Sequence, residues 1–532
     1  MSQTFFLKTI FHKIPLKSLP PLFIALISGV LMGLTLAPTN LWCLAWVALA
    51  PLWVLVVGGR GVEDNRVNLW IPFVWGVAYH GLAFSWIRGL HPLTWMGLSW
   101  GTSIAITGFC WVFITLWGAA LGVTWAGLFC FVLKRSRRDP RPGSLSLPLT
   151  RVLLGTALWC ALSALWNYGP LDWTSLSLTQ SPHNLAILHL GQISGPTAVT
   201  GAIVAVNGLI AEAWLHRRRH LWLSGSPAAL FVALHLIGFG LYSQPLSESP
   251  TSALKVGIIQ GNIPTRIKLF EEGTQLSLDR YIQGYQTLAD QGVDVVLMPE
   301  GSLPWLWLGR PGQSQNALYQ VILDRGVPAV VGTVGTRKGR ITQTLFSISG
   351  TGAVIGRYDK TKLVPLGEYI PFESFLGKFI DRLSPVGSSM LPGEVSQHFD
   401  TPFGRAIAAI CYESAFPWIF RNQAAAGGQF IMTASNNDPY NATMMSQHHA
   451  QDVMRAIESD RWAARATNTG FSGIVDPHGK TQWLSGFRTY ETHAHTIYRR
   501  QTQTLYVRWG DWLLPLLLVV AFIGIGMESR RA

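Results

Sequence analysis

Charge is scarce in this chain of 532 residues, and acid is scarcer than base. Asp, Glu, Lys and Arg make up 13% of the residues, and 28 acidic side chains face 41 basic ones for a net charge of +13. Ordinary soluble domains carry about 25% charged residues, so a chain exposed to water throughout is excluded. Cysteine is also scarce. Of five cysteines, Cys43, Cys110, Cys130 and Cys160 sit in long apolar segments, and Cys411 alone lies in the second half. That solitude excludes a disulfide framework around it. No period of 20–50 residues recurs, so repeat architectures are excluded. No small-residue cleavage site follows the first apolar run, which therefore reads as an uncleaved anchor rather than a signal peptide.

What is present falls into two materials. Up to about residue 244 the chain is dominated by Leu, Trp, Ala, Val and Gly; from 251 to 508 it mixes apolar runs with charges and turns; a last apolar run occupies 512–526. A membrane span needs about 20 mostly apolar residues. Eight candidates are read at 20–37, 40–58, 69–87, 98–133, 152–168, 196–215, 221–243 and 511–527. Lys and Arg of short loops mark the cytoplasmic side. Counting the fourth segment once puts Lys8, Lys13 and Lys17, Arg60 and Arg66, "KRSRRDPR" (134–141), "RRR" (217–219), and Arg530 and Arg531 all on one side. The opposite loops, 38–39, 88–97 and 169–195, hold Arg88 alone. The expectation is a cytoplasmic segment 1–19, seven helices in 20–244, an extracytoplasmic domain over 251–508, an eighth helix at 511–527 and a cytoplasmic tail 528–532. Basic loops of this kind orient spans and touch anionic lipid. The partner they imply is the bilayer, not nucleic acid.

Within 251–508, short apolar runs ending in turn residues read as strands buried on both faces: 254–263, 293–301, 327–335, 405–413 and 429–436. Helical spacing marks 276–291 and 446–464, and hairpins are expected over 344–363, turning at "GTG", and over 469–480, turning at "DPHG". Helices over such strands make an α/β class, expected to be layered.

Glu300 closes "VVLMPE", Cys411 closes "AIAAIC", and Lys360 follows the second hairpin arm in "RYDKTKL". Chemistry collects at strand ends in α/β sheets. A thiolate attacks acyl carbon, a carboxylate takes its proton, and a lysine ammonium with a backbone N–H such as that of Tyr412 stabilises the oxyanion. Singly, each residue has a plainer reading: an apolar filler cysteine, a solvated glutamate, a surface lysine.

Together, "LMPEG", "YDKTKLVPLGEYIP" and "ICYES" place Glu300, Lys360 and Cys411 in order, 60 and then 51 residues apart. With "RAIESDRWAARATNTGFSGIVDPHG" (455–479) and the preceding multi-span region, the chain resembles the nitrilase superfamily in its membrane-embedded branch. That resemblance implies a multi-pass helical membrane domain carrying an αββα sandwich outside the cytoplasm. It implies Glu300 as general base, Lys360 as oxyanion residue and Cys411 as nucleophile, with Glu368, Tyr412 and Glu413 supporting them. It further implies acyl transfer from a membrane phospholipid, through a Cys thioester, to the amine of an S-diacylglyceryl-cysteine on a diacylated apolipoprotein. A tethered amidase, or a non-catalytic partner of a polyprenol-phosphate glycosyltransferase, is the alternative.

The chain departs from the family pattern at Leu269, at Met298, in "LFS" (345–347) and in "SNNDPYNATMMSQH" (435–448), where Pro439 and Tyr440 replace an aromatic pair. "PWLWLG" (304–309) is read as an arm on the bilayer or an internal packing loop. No metal or cofactor is expected: His448 and His449 are helical neighbours that cannot face one ion, and His493 and His495 lack a third ligand. Asp172 and His183 are candidates for seating a lipid headgroup, with Arg88 and His91 at the interface.

Overall fold

The computed structural model describes residues 20–58, 68–136, 148–217, 221–246, 248–268, 270–303, 316–370 and 389–531. Leu269, the 304–309 arm and most of the basic clusters fall outside these residues.

The helical region comprises α1 (Pro21–Gly33), α2 (Ala50–Gly58), α3 (Trp70–Ala83), α4 (Trp100–Ser136), α5 (Pro148–Tyr168), α6 (Pro196–His216) and α7 (Ser226–Tyr242). By length and composition, α4, α5 and α6 are able to cross a membrane, whereas α1, α7 and the run Trp42–Gly58 are apolar but shorter. The segment expected as a single helix over 40–58 is broken, with a tight 3₁₀ turn at Trp42–Trp46 before α2. Small residues set the close crossings. A Cβ on Gly29 would lie 2.4 Å from the Trp75 carbonyl, and one on Gly76 would lie 2.7 Å from the Ala119 Cα. Such glycines let helix backbones approach where burial alone drives little association. Buried tryptophans fill the rest, Trp53 lying 5.5 Å from Trp125 between ring centroids.

The α/β region follows as β1 (Ala253–Gln260), α8 (Glu271–Asp290), β2 (Val295–Leu297), α9 (Ala317–Arg325), β3 (Ala329–Arg337), β4 (Arg340–Ile348) and β5 (Val354–Asp359). It continues with β6 (Phe399–Thr401), β7 (Gly404–Ile410), α10 (Pro417–Ala425), β8 (Phe430–Ser435), α11 (Ala442–Ser459) and β9 (Ala463–Thr467). β10 (Gly473–Val475), β11 (Thr481–Leu484), β12 (Glu491–Tyr498) and a final apolar helix, α12 (Leu513–Arg531), complete the chain.

The strands form two six-stranded sheets, ordered β12-β1-β2-β3-β4-β5 and β11-β10-β9-β8-β7-β6. In each the central strands are parallel, β1 with β2 and β3, and β7 with β8 and β9. The sheets face one another across Val256, Ile258, Leu297 and Leu345 on one side and Ala408, Ile410, Met432 and Ala464 on the other. α8 packs on β1 and β12, and α10 on β7. The expected αββα layering is thus present, and both predicted hairpins form, β4 with β5 and β10 with β11.

The helix expected over 446–464 ends at Ser459. Asp460 adopts φ 53°, and Ala463 and Ala464 enter β9, paired with Ile431 and Met432. Helix-forming alanines are overridden there by parallel pairing between two buried strands.

One hydrophobic core crosses from the sandwich to the helical region. Ile407, Phe416, Ile431, Val453 and Ile457 belong to the same buried cluster as Trp46, Ile187 and Ile203. Gln447 of α11 makes the polar joint: its Oε1 accepts from Trp86 Nε1 at 3.1 Å and Trp173 Nε1 at 2.8 Å, and its Nε2 donates to the carbonyls of Ala37 and Ala83, each at 3.1 Å.

Candidate active site

β2 and β7 belong to the two facing sheets, and the turns that follow them meet at one end of the sandwich, where the hairpin arm β5 brings a third residue to them. Glu300, Lys360 and Cys411 leave from these three ends, and all three are buried. Lys360 Nζ donates to Glu300 Oε1 at 3.0 Å and to Glu368 Oε1 at 2.5 Å. The remaining carboxylate oxygens are also held: Glu300 Oε2 accepts from the Asn436 N–H at 2.8 Å, and Glu368 Oε2 from the Val364 N–H at 2.8 Å. Burial alone would lower the Lys360 ammonium, but Glu300 and Glu368 hold it well above the ordinary lysine range. Burial, opposed by Lys360, raises the Glu368 carboxyl.

β7 stops at Ile410, three residues short of the strand expected over 405–413, and Cys411 opens a tight turn with φ 52°. That left-handed backbone is uncommon for a residue with a Cβ, and such strain collects at functional sites. Burial first, then the Glu300 carboxylate, push the Cys411 thiol up to about 12, against the opposing pull of Lys360. The sulfur therefore rests as a thiol, and attack requires a base. Tyr412 is the second residue of this turn, where N–H groups have no partner in the turn's own ladder. It is thus available as an oxyanion donor. The Tyr412 side chain points away to the helical region: its hydroxyl donates to the Pro170 carbonyl at 3.2 Å and accepts from the Asp172 N–H at 3.1 Å.

Glu413 explains how two of the strand ends stay in register. One carboxylate oxygen accepts from the N–H groups of Thr361 (2.6 Å) and Lys362 (3.1 Å), and the other from that of Ile410 (2.7 Å). The Tyr358 hydroxyl lies 3.0 Å from both oxygens. A single buried side chain thereby ties the residues after Lys360 to the residue before Cys411.

Several participants carry no local signal. His448 approaches the Cys411 carbonyl oxygen with Nε2 at 2.8 Å, and its Nδ1 lies 3.3 Å from Asn437 Nδ2. Asn437 Oδ1 in turn lies 3.8 Å from the Cys411 sulfur. The ring closes with Nε2–H as donor and Nδ1 as acceptor, which assigns the tautomer. Behind the turn, Ser414 donates to Asp452 at 2.8 Å, and Arg465 binds both. Lys268, also buried, donates to the Glu300 carbonyl oxygen at 3.3 Å and is pulled down to about 8 by burial, against the opposing effect of Glu300 and Asp438. Sequence alone offered one clue to Asn437, its place in the divergent 435–448 segment.

The remaining candidates have other partners. Asp172 is half-buried, and its carboxylate accepts from Asn167 Nδ2 at 2.6 Å. His183 is exposed. His448 serves the Cys411 turn, whereas His449 bonds Thr481 at 2.8 Å. His493 stacks on Trp483 with ring centroids 4.1 Å apart and lies 5.8 Å from His495. Arg88 lies over the Trp111 ring, 5.6 Å from its centroid.

The carbon-nitrogen hydrolase family pattern matches residues 255–505, and the pattern of the apolipoprotein N-acyltransferase N-terminal domain matches residues 28–209. A Nostoc protein named apolipoprotein N-acyltransferase is 53% identical over 93% of this chain and 96% of its own. Proteins of the same name from Synechocystis and Gloeobacter violaceus are 43% and 34% identical, covering 92% and 97% of this chain and 98% and 96% of theirs. Among solved structures, Saccharomyces cerevisiae Nit3, of the nitrilase superfamily, aligns at 18% identity and TM-score 0.37 with 49% of this chain and 94% of its own.

Proposed function

Because the chain belongs to the apolipoprotein N-acyltransferase family, we propose that Cys411, Glu300 and Lys360 are the nucleophile, base and oxyanion cation of its acyl transfer. The protein is an acyltransferase of lipoprotein maturation within the nitrilase superfamily, and its apolar helices make it a membrane protein. A lipid donates the acyl group and a lipoprotein accepts it.

In the first half-reaction the Cys411 sulfur attacks the ester carbonyl carbon of a membrane phospholipid, and its proton passes to Glu300. The tetrahedral oxyanion is met by the Lys360 ammonium and the Tyr412 N–H. Collapse breaks the ester C–O bond, and the proton on Glu300 goes to the departing lysophospholipid oxygen. In the second, the α-amine of an S-diacylglyceryl-cysteine attacks the thioester and gives a proton to Glu300. The C–S bond breaks, and Glu300 returns that proton to sulfur.

The observation that carries this reading is the buried contact of Lys360 with Glu300 at 3.0 Å beside a thiol that burial keeps protonated. A nucleophile that rests as a thiol needs the adjacent carboxylate, and a buried carboxylate needs the ammonium. The basic clusters support a placement in which 251–508 faces the extracytoplasmic side of the bacterial cell membrane and both termini are cytoplasmic. Tethered there, the thiol meets two lipid-anchored substrates in two dimensions.

Purified protein incubated with acyl-labelled phospholipid should acquire a hydroxylamine-sensitive label that Cys411→Ala lacks. A diacylglyceryl-cysteine peptide should then discharge it as an amide. Labelling that persists in Cys411→Ala overturns the nucleophile, and discharge by water alone overturns the transfer.

A further inference from the structure

Between the loop joining α3 to α4 and the sandwich lies a cavity of about 440 Å³ that none of the catalytic residues lines. Its walls include Trp95 from the helical region and Asn262, Thr265, Arg266, Asp438 and Arg488 from the α/β region. Three features set it apart from ordinary solvated surface.

The first is unmatched positive charge. In the same domain Arg325 pairs with Asp290, Arg337 with Glu394 and Arg405 with Asp400, whereas exposed Arg340 meets only carbonyls among the described residues. Among the described residues Arg266 meets no carboxylate. Arg488 donates only to the backbone carbonyl of Asp438, at 3.3 Å, and lies over Phe487. The cavity's one acid, Asp438, accepts from the Thr265 N–H at 2.6 Å and offsets only one of the two guanidinium charges. The second is a hydroxyl without a partner: Thr265 Oγ1 is buried and makes no hydrogen bond. A buried, unsatisfied polar group is destabilising, and an incoming acceptor would relieve it.

The third is position. The loop bearing Trp95 ends at Trp100, which is 64% exposed at the start of α4, the longest membrane-capable helix. Tryptophans at a helix end mark the membrane–water boundary. The opposite wall, Asp438 and Pro439, directly follows Asn437, whose side chain lies 3.8 Å from the Cys411 sulfur. A group held here lies near that helix end and one short strap away from the thiol.

We propose that this cavity binds the phosphate of a net-anionic glycerophospholipid, the acyl donor, with Arg266 and Arg488 as its cationic contacts. Guanidinium groups suit phosphate oxygens because they offer paired donors, and the Thr265 hydroxyl adds a third. The inference rests on Cys411 receiving the acyl chain, and it makes the donor's charge a determinant of selectivity.

The test uses the full-length protein in mixed micelles and compares two acyl donors carrying the same chain, phosphatidylglycerol and a phosphate-free p-nitrophenyl ester. The readout is the ratio of their Cys411 acylation rates at sub-saturating donor, followed as hydroxylamine-sensitive label. In Arg266→Ala/Arg488→Ala that ratio should fall about tenfold or more, with partial recovery in Arg266→Lys/Arg488→Lys. Inorganic phosphate at millimolar concentration should compete with phosphatidylglycerol in the wild type and not in the double alanine variant. A ratio within twofold of wild type overturns the proposal, as does an equal loss with both donors. If phosphate competes but the ratio is unmoved, the cavity takes a free anion and the lipid assignment falls. Absence of label from either donor in the wild type would instead sink the Cys411 reading.

Discussion

His448 holds Cys411 by its backbone rather than by its sulfur: Nε2 lies 2.8 Å from the Cys411 carbonyl oxygen. Burial, with Arg465 nearby, keeps the imidazole well below its usual range. It is therefore neutral near pH 7 and acts as a fixed donor, not as a second base. His448→Ala should slow Cys411 acylation by about 10–100-fold, the cost of misplacing a nucleophile. His448→Gln, which retains an N–H donor, should recover part of that loss. The pH–rate profile of the wild type should show no limb that either variant removes.

The resting thiol predicts an unusual alkylation profile. An ordinary cysteine titrates near pH 8.5, so its reaction with iodoacetamide levels off about one unit above that. Cys411, pushed up to about 12 by burial and by Glu300, should keep gaining reactivity beyond pH 10. Glu300→Gln should depress acylation at pH 7 by about 10²–10⁴-fold through loss of the base. Mass spectrometry of the labelled peptide checks both.

Lys360 stands between two carboxylates, so its removal should do more than delete one charge. In Lys360→Met, Glu300 and Glu368 would share a buried site without a cation, and one of them would take up a proton. The base would be lost together with the oxyanion contact, and single-turnover acylation should fall at least about 10³-fold. Glu368→Gln, which keeps an oxygen for the ammonium, should cost about tenfold.

Glu413 makes stability depend on pH. Burial pushes its carboxyl up to about 7, against the donated N–H bonds of Ile410 and Thr361. An unfolded glutamate titrates near 4.3, so between these values the native state holds a proton that the unfolded chain has released. The contribution is complete below about pH 4.3 and is lost as pH rises through 7, by on the order of 3 kcal/mol. Thermal unfolding followed by tryptophan fluorescence should show this slope, and Glu413→Ala should remove it. That variant should also slow acylation, because the ends of β5 and β7 lose their shared clamp.

Much of this was legible before any coordinates. Buried parallel strands have an unmistakable apolar signature, and Glu300, Lys360 and Cys411 fall where those runs stop. The residues that hold them were not legible, for a physical reason. His448 lies 37 positions from Cys411, and Glu413 reaches back 52 positions to Thr361, so neither pairing leaves a local pattern. The end of α11 was hidden similarly. "SDRWAARA" has no glycine or proline to stop a helix, and the stop comes from Asp460 turning left-handed while Ala463 and Ala464 find strand partners. Asp172 shows the same limit, since an acid in an outer loop gives no sign that it will meet Asn167 and Tyr412.

Gln447 has a consequence for reach. Its four hydrogen bonds key the helix that carries His448 into Trp86, Trp173, Ala37 and Ala83 of the helical region. The α/β region is thereby keyed to the helical region at a set height. On the acyl transfer proposed above, the thiol would stand at a set altitude over the lipid, like a needle over a turntable. Donor and acceptor would each have to climb to that level on their own tethers.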